Sequence, residues 1–114
     1  MSLNWYPIYI FEKDGYEPQP INSIRGVKVA GKEICVIRTT NDYFAVKDKC
    51  PHAGGRISNG WCEQQQIVCP VHRHKFDIHT GKGLPEHGDY LEHYEVLTNT
   101  QGVFVGFKKH WWNK

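Results

Sequence analysis

The chain has no run of apolar residues approaching the roughly 18 that a membrane-crossing helix needs, and its first residues lack the basic-then-apolar layout of a secretion signal. A soluble protein of the cytoplasm is the expectation, with no membrane partner. A surplus of one charge is missing as well: 14 Lys plus Arg stand against 12 Asp plus Glu, a formal net charge of +2. A general nucleic-acid binder needs a basic excess to displace counterions from phosphates, so nucleic acid is not an expected partner. No segment carries the apolar stripe of a helix, which excludes a helical bundle. A chain of 114 residues buries roughly two thirds of the surface that its unfolded form exposes, enough for one modest core and no separate catalytic domain. Residues 1–114 are therefore read as one domain.

Short β-type runs make up the two ends of the sequence. They lie at 5–11, 24–29, 33–39 and 43–47, then at 94–97 and 103–107, with turn-forming residues such as Ala30-Gly31-Lys32 and Asn41-Asp42 between neighbours. This predicts an all-β, antiparallel fold. In the run at 33–39, Ile34 and Val36 fall on one face and Cys35 and Ile37 on the other, so this strand is expected to be covered on both sides and to lie centrally. The aromatics Trp5, Tyr6, Tyr43 and Phe44 are read as core.

Residues 48–90 break the pattern, because Gly, Pro, His and Cys crowd together there. A loop-rich stretch buries too little apolar surface to order itself, and the Cys and His residues within it suggest a metal as the organiser. The decisive pieces are Cys50-Pro51-His52 and, after 16 intervening residues, Cys69-Pro70-Val71-His72. Each offers one thiolate and one imidazole. Two of each define either a tetrahedral zinc site or a mixed-ligand iron–sulfur cluster. Structural zinc sites usually group Cys with Cys and His with His, whereas here each loop brings a mixed pair, which suits a two-iron cluster with two Cys on one iron and two His on the other.

The match extends to Cys50-Pro51-His52-Ala53-Gly54-Gly55, to Cys69-Pro70-Val71-His72-Arg73-His74-Lys75-Phe76-Asp77 and to Thr80-Gly81-Lys82-Gly83-Leu84-Pro85. Together these resemble the two cluster loops and the covering proline loop of Rieske [2Fe-2S] proteins. The resemblance implies a Rieske-type antiparallel β sandwich with a cluster-binding subdomain inserted at 48–90, and one [2Fe-2S] cluster per chain. It implies Cys50 and Cys69 on the buried iron, and His52 and His72 on the outer iron. In the cytochrome-complex branch of that family a second cysteine in each loop forms a disulfide, and the matching positions here are Gly55 and Val71. The hydroxyl donors of that branch are replaced by His74 and Phe76. The chain is thus most similar to the soluble, lower-potential Rieske ferredoxins, and also to the small Rieske-type subunit of nitrite reductases.

The resemblance implies an electron-transfer component that is not itself an enzyme, passing single electrons from a flavin-dependent or similar reductase to a terminal oxygenase or other oxidoreductase. With only two thiolates the cluster is less negative than its all-Cys counterpart and easier to reduce, roughly −150 to +300 mV against about −400 mV. Within 47–82 six basic residues face three acidic ones, which favours an acidic partner surface. A zinc-stabilised Cys2His2 interaction module is the alternative of a different class. Cys35 and Cys62 are expected to pack as small hydrophobes, His74 either contacts a partner at the cluster tip or is merely solvated, and Trp111 and Trp112 pack back onto the sandwich.

Overall fold

The computed structural model of the chain describes residues 2–51, 54–71, 73–84 and 90–109. Its strands are β1 (Leu3–Ile10), β2 (Ser23–Val29), β3 (Lys32–Arg38), β4 (Tyr43–Lys47), β5 (Trp61–Glu63), β6 (Gln66–Val68), β7 (Lys75–Asp77), β8 (Gly83–Leu84), β9 (His93–Thr98) and β10 (Gly102–Lys108). All pairings are antiparallel. A short α-helix, α1 (Phe11–Asp14), and a 3-10 turn at Ile57–Asn59 interrupt the β pattern. Phe11, expected to close the first strand, instead opens α1, because the Asp14 carboxylate folds back to accept a hydrogen bond from the Ile10 N–H at 2.8 Å.

Two three-stranded sheets, β1-β10-β9 and β4-β3-β2, join into one six-stranded sheet where β9 meets β4 through Ala45 opposite Tyr94 and Val46 opposite His93. The halves close over a core that includes Tyr9, Ile34, Val36, Tyr43, Val103, Val105 and Phe107. The β2–β3 hairpin turns on Ala30 and Gly31, both at positive φ (49° and 82°), the backbone that a two-residue hairpin loop demands.

Strand β3 carries the architecture. Ile34 and Val36 enter the sandwich core while Cys35 and Ile37 enter a second core, and all four are 0% exposed. The second core is completed by Ile57, Ile67, Phe76, Ile78 and Leu91, contributed by the smaller sheet β5-β6-β7-β8 and its connections. Full burial of a side chain such as Phe76 or Ile67 stabilises by roughly 1.5–3 kcal/mol. The small sheet is thereby seated on the outer face of β3 and β4, and the segments that carry the Cys/His motifs hang from its ends.

Trp5 departs from expectation. It is 45% exposed and lies outside the sandwich, its ring over Gly106, its partner in the β1–β10 register. The glycine leaves the gap that the indole covers. Tyr43 is buried and Phe44 partly buried, as expected; Trp111 and Trp112 lie outside the described residues.

Candidate metal centre

Cys50 follows β4 by three residues and Cys69 follows β6 directly. Each starts a loop that closes on itself. In the first, the Cys50 N–H donates to the Gly55 carbonyl and the Gly54 N–H to the Cys50 carbonyl, both at 2.8 Å. In the second, the Cys69 N–H donates to the His74 carbonyl at 2.8 Å, and Arg73 turns the chain at a φ of 54°. The third segment is set by Asp77, whose carboxylate accepts the N–H groups of His79 and Thr80 at 2.8 and 3.0 Å. Asp77 thereby aligns the turn from β7 into β8.

These loops bring the two cysteines together. Both are buried and none of the four cysteines is in a disulfide. Cys50 and Cys69 pack in one buried cluster. Burial pushes the Cys69 thiol up from its ordinary pKa, the neighbouring Cys50 adds to this, and the Val71 N–H opposes it. A buried pair of soft sulfur donors with an N–H aimed at one of them fits one iron of an iron–sulfur cluster, since metal binding replaces the thiol protons and the N–H stabilises the resulting charge. The loops touch at Gly55 and Val71: a Cβ placed on Gly55 would lie 2.8 Å from Val71 Cγ2 and 4.0 Å from the Cys69 sulfur. His52, His72 and Pro85 lie outside the described residues.

No local sequence pattern marks what anchors the first loop. Asp48, two residues before Cys50, has a fully buried carboxylate. It accepts hydrogen bonds from the Ser58 N–H (2.7 Å), the Ser58 hydroxyl (2.7 Å) and Arg56 Nη2 (3.0 Å). Asp48 therefore ties the start of the loop to its end. Gly26 of β2 makes the space, because a Cβ there would lie 2.7 Å from Ser58 Oγ and 3.0 Å from Asp48 Oδ2. Arg56 also reaches Glu33 at 3.4 Å, and its pKa is raised by Asp48 first and then by Glu33. Asp48→Ala is expected to cost about 3 kcal/mol, mainly from the two Ser58 bonds to a charged acceptor. Arg56, 48% exposed, is left in water. Urea unfolding checks this: the midpoint should fall with unchanged slope, and Ser58→Ala should lose less.

The sequence profile of the Rieske [2Fe-2S] domain matches residues 9–94. The chain belongs to this family. A ferredoxin component of the naphthalene 1,2-dioxygenase/salicylate 5-hydroxylase systems of Ralstonia sp. is 40% identical over 65 residues, which cover 57% of this chain and 62% of that protein. The match thus spans less than two thirds of that relative. Among solved structures, a ferredoxin in complex with reduced oxygenase in carbazole 1,9a-dioxygenase superposes with a TM-score of 0.77 at 24% identity, covering 93% of this chain and 95% of that one. A Mycobacterium tuberculosis chain assigned as the small subunit of an NADH-dependent nitrite reductase gives a TM-score of 0.82 at 15% identity, covering 96% and 100%. At these identities the likeness is one of fold.

The remaining candidates of the Rieske domain separate clearly. Cys35 is wholly buried, its thiol pushed up by burial and then by the nearby Asp48 and Cys62, and Cys62 is partly buried with its thiol also raised. Both pack against the second core, as expected. His74 is half-buried with its ring 5.3 Å from that of Phe76, so it is not simply a solvated side chain. His79 is exposed, stacks edge-on with Phe44 and contacts Gln65. No helix among the described residues is long and apolar enough to cross a membrane.

Proposed function

We propose that this chain is a one-electron carrier of the Rieske ferredoxin type, acting in the cytoplasm between a reductase and a terminal oxygenase or other oxidoreductase. The observation that carries the reading is the pair Cys50 and Cys69, buried in one cluster at the mouths of two closed loops, in a chain of the Rieske family. Cys50 and Cys69 would hold one iron, and His52 and His72 the other. Free thiols throughout accord with a reducing compartment. The same reading takes residues 1–114 as a single domain with 48–90 inserted; the pairing of β4 with β9, which flank the insertion, supports it.

When bound, a [2Fe-2S] cluster accepts and returns one electron at a time. The chain's own residues give that exchange its setting. The small sheet fixes the two loops, Asp48 holds the first of them, and burial at Cys50 and Cys69 excludes water from the thiolate side. The ferredoxin name of the Ralstonia relative and the oxygenase-bound ferredoxin of like fold favour an oxygenase as acceptor.

Protein purified without oxygen is expected to be red-brown, with two irons and two acid-labile sulfides per chain, and to bleach reversibly on one-electron reduction. Cys50→Ala and Cys69→Ala should each abolish colour and sulfide together. Colourless protein with stoichiometric zinc and no sulfide would establish the interaction module instead.

A further inference from the structure

A groove of about 300 Å³ runs along the flank of the first loop, lined by Lys47, Lys49, Cys50, Pro51, Tyr90 and Glu92. It opens beside a second hollow whose walls include Lys32 and again Lys47 and Lys49. Among the described residues three acidic groups line these hollows, and two are engaged by Arg56. Asp48 is buried and bonded to Arg56 and Ser58, while Glu33 pairs with Arg56. Among the described residues that line the two hollows, Glu92 is left to face Lys32, Lys47 and Lys49. The β5–β6 hairpin turn, at the end of the small sheet away from Cys69, differs: it carries Glu63, Gln64 and Gln65, and the exposed aromatic of β5, Trp61, has its indole N–H bonded to Glu63 at 2.6 Å.

Tyr90 supplies an apolar surface at the basic flank. Its side chain is 62% exposed, yet its backbone is fixed, since Tyr90 bridges to Lys82 and the adjacent Leu91 is buried and donates its N–H to the Gly81 carbonyl. A large aromatic displayed from a rigid backbone, beside a lining whose described basic groups outnumber its acidic ones, is the composition of an interface anchor. We infer that this groove is the docking site for a carboxylate-bearing surface of the redox partner, with Lys47 and Lys49 meeting the carboxylates and Tyr90 an apolar group among them. The inference rests on the electron-carrier reading. It selects the Lys47/Lys49 flank of the first loop over the Glu63–Gln65 hairpin turn. A charged rim guides the encounter and lets the complex part quickly, as a shuttling carrier requires.

The test uses the loaded protein and two probes. Reduced protein is oxidised in a stopped-flow instrument by ferricyanide, an anion, and by tris(phenanthroline)cobalt(III), a cation, across a range of salt. Lys47→Glu/Lys49→Glu should slow the anionic oxidant about tenfold at low salt, not slow the cationic one, and approach wild type at high salt. Lys49→Glu alone should exceed Lys13→Glu, which changes net charge equally but lies on α1. Binding of a ten-residue Glu/Leu peptide, followed by calorimetry, should be lost in the double variant and weakened several-fold by Tyr90→Ser, with ferricyanide oxidation of Tyr90→Ser unchanged. Equal effects of Lys49→Glu and Lys13→Glu, or a peptide that binds the double variant as it binds wild type, would overturn the groove while leaving the carrier reading intact. Protein that shows no reversible bleaching in any form would instead remove the carrier reading.

Discussion

Stripping the cluster from the loaded protein is expected to open residues 50–56 and 69–74 to trypsin while β5 to β8 remain seated on the sandwich. Among the described residues, two backbone hydrogen bonds close the first loop and one closes the second. Each is worth a net 0.5–1.5 kcal/mol or so, whereas ordering one residue costs about 1–2 kcal/mol of backbone entropy. No disulfide makes up the difference. The small sheet is another matter, because Ile57, Ile67, Phe76, Ile78 and Leu91 share a buried core with Cys35, Ile37 and Val46. Cuts should therefore appear after Lys49, Arg56 and Arg73, all exposed, before any cut in β2 or β3. A local loss of about 3 kcal/mol raises the open population roughly hundredfold. Mass spectrometry of timed digests, with and without the cluster, decides it. Loops that resist trypsin equally in both states would show that the protein alone orders them.

How much of the fold and the site was legible in the residues depends on the range of the interaction concerned. The double-sided alternation of Ile34, Cys35, Val36 and Ile37 is local, and it correctly placed β3 between two cores. The spacing of Cys50 and Cys69 marks them as partners, and both lie in one buried cluster. Asp48 was legible only as one acidic charge among basic neighbours. Its partners Arg56, Ser58 and the gap at Gly26 lie 8, 10 and 22 positions away, and nothing in the local pattern links them. That also changes the charge reading: Asp48 and Arg56 neutralise each other, so the basic character of 47–82 resides in Arg73 and the four lysines. Trp5 failed for the same reason. An indole in an alternating strand reads as core unless its cross-strand partner is known to be Gly106, whose missing side chain lets the ring lie outside.

The contact between Gly55 and Val71 supports the second large expectation, that Gly55→Cys/Val71→Cys forms a disulfide and holds the loops without the cluster. A Cβ built on Gly55 lies 3.9 Å from Val71 Cβ, within the span of about 3.5–4.5 Å that disulfides adopt. Gly55 does not sit at positive φ, so a side chain meets no backbone penalty there. The one close contact, 2.8 Å to Val71 Cγ2, disappears when Val71 is itself replaced by Cys. The bridge would close a loop of about 17 residues, for which loss of unfolded-state entropy predicts roughly 3 kcal/mol. That is comparable to the stabilisation that the cluster-free loops lack. Under oxidising conditions the double variant should lose two hydrogens by mass and resist trypsin after Arg56 and Arg73 with the cluster removed. Reductant should restore cleavage, and neither single variant should be protected. Cys69 sulfur lies 4.0 Å from the same Cβ position, so peptide mapping must assign the bridge to residues 55 and 71. A bridge formed there that leaves cleavage unchanged would mean that the loops are not the weak part of the cluster-free protein. Alkylatable thiols at both positions after oxidation would mean that they do not meet as the structure places them.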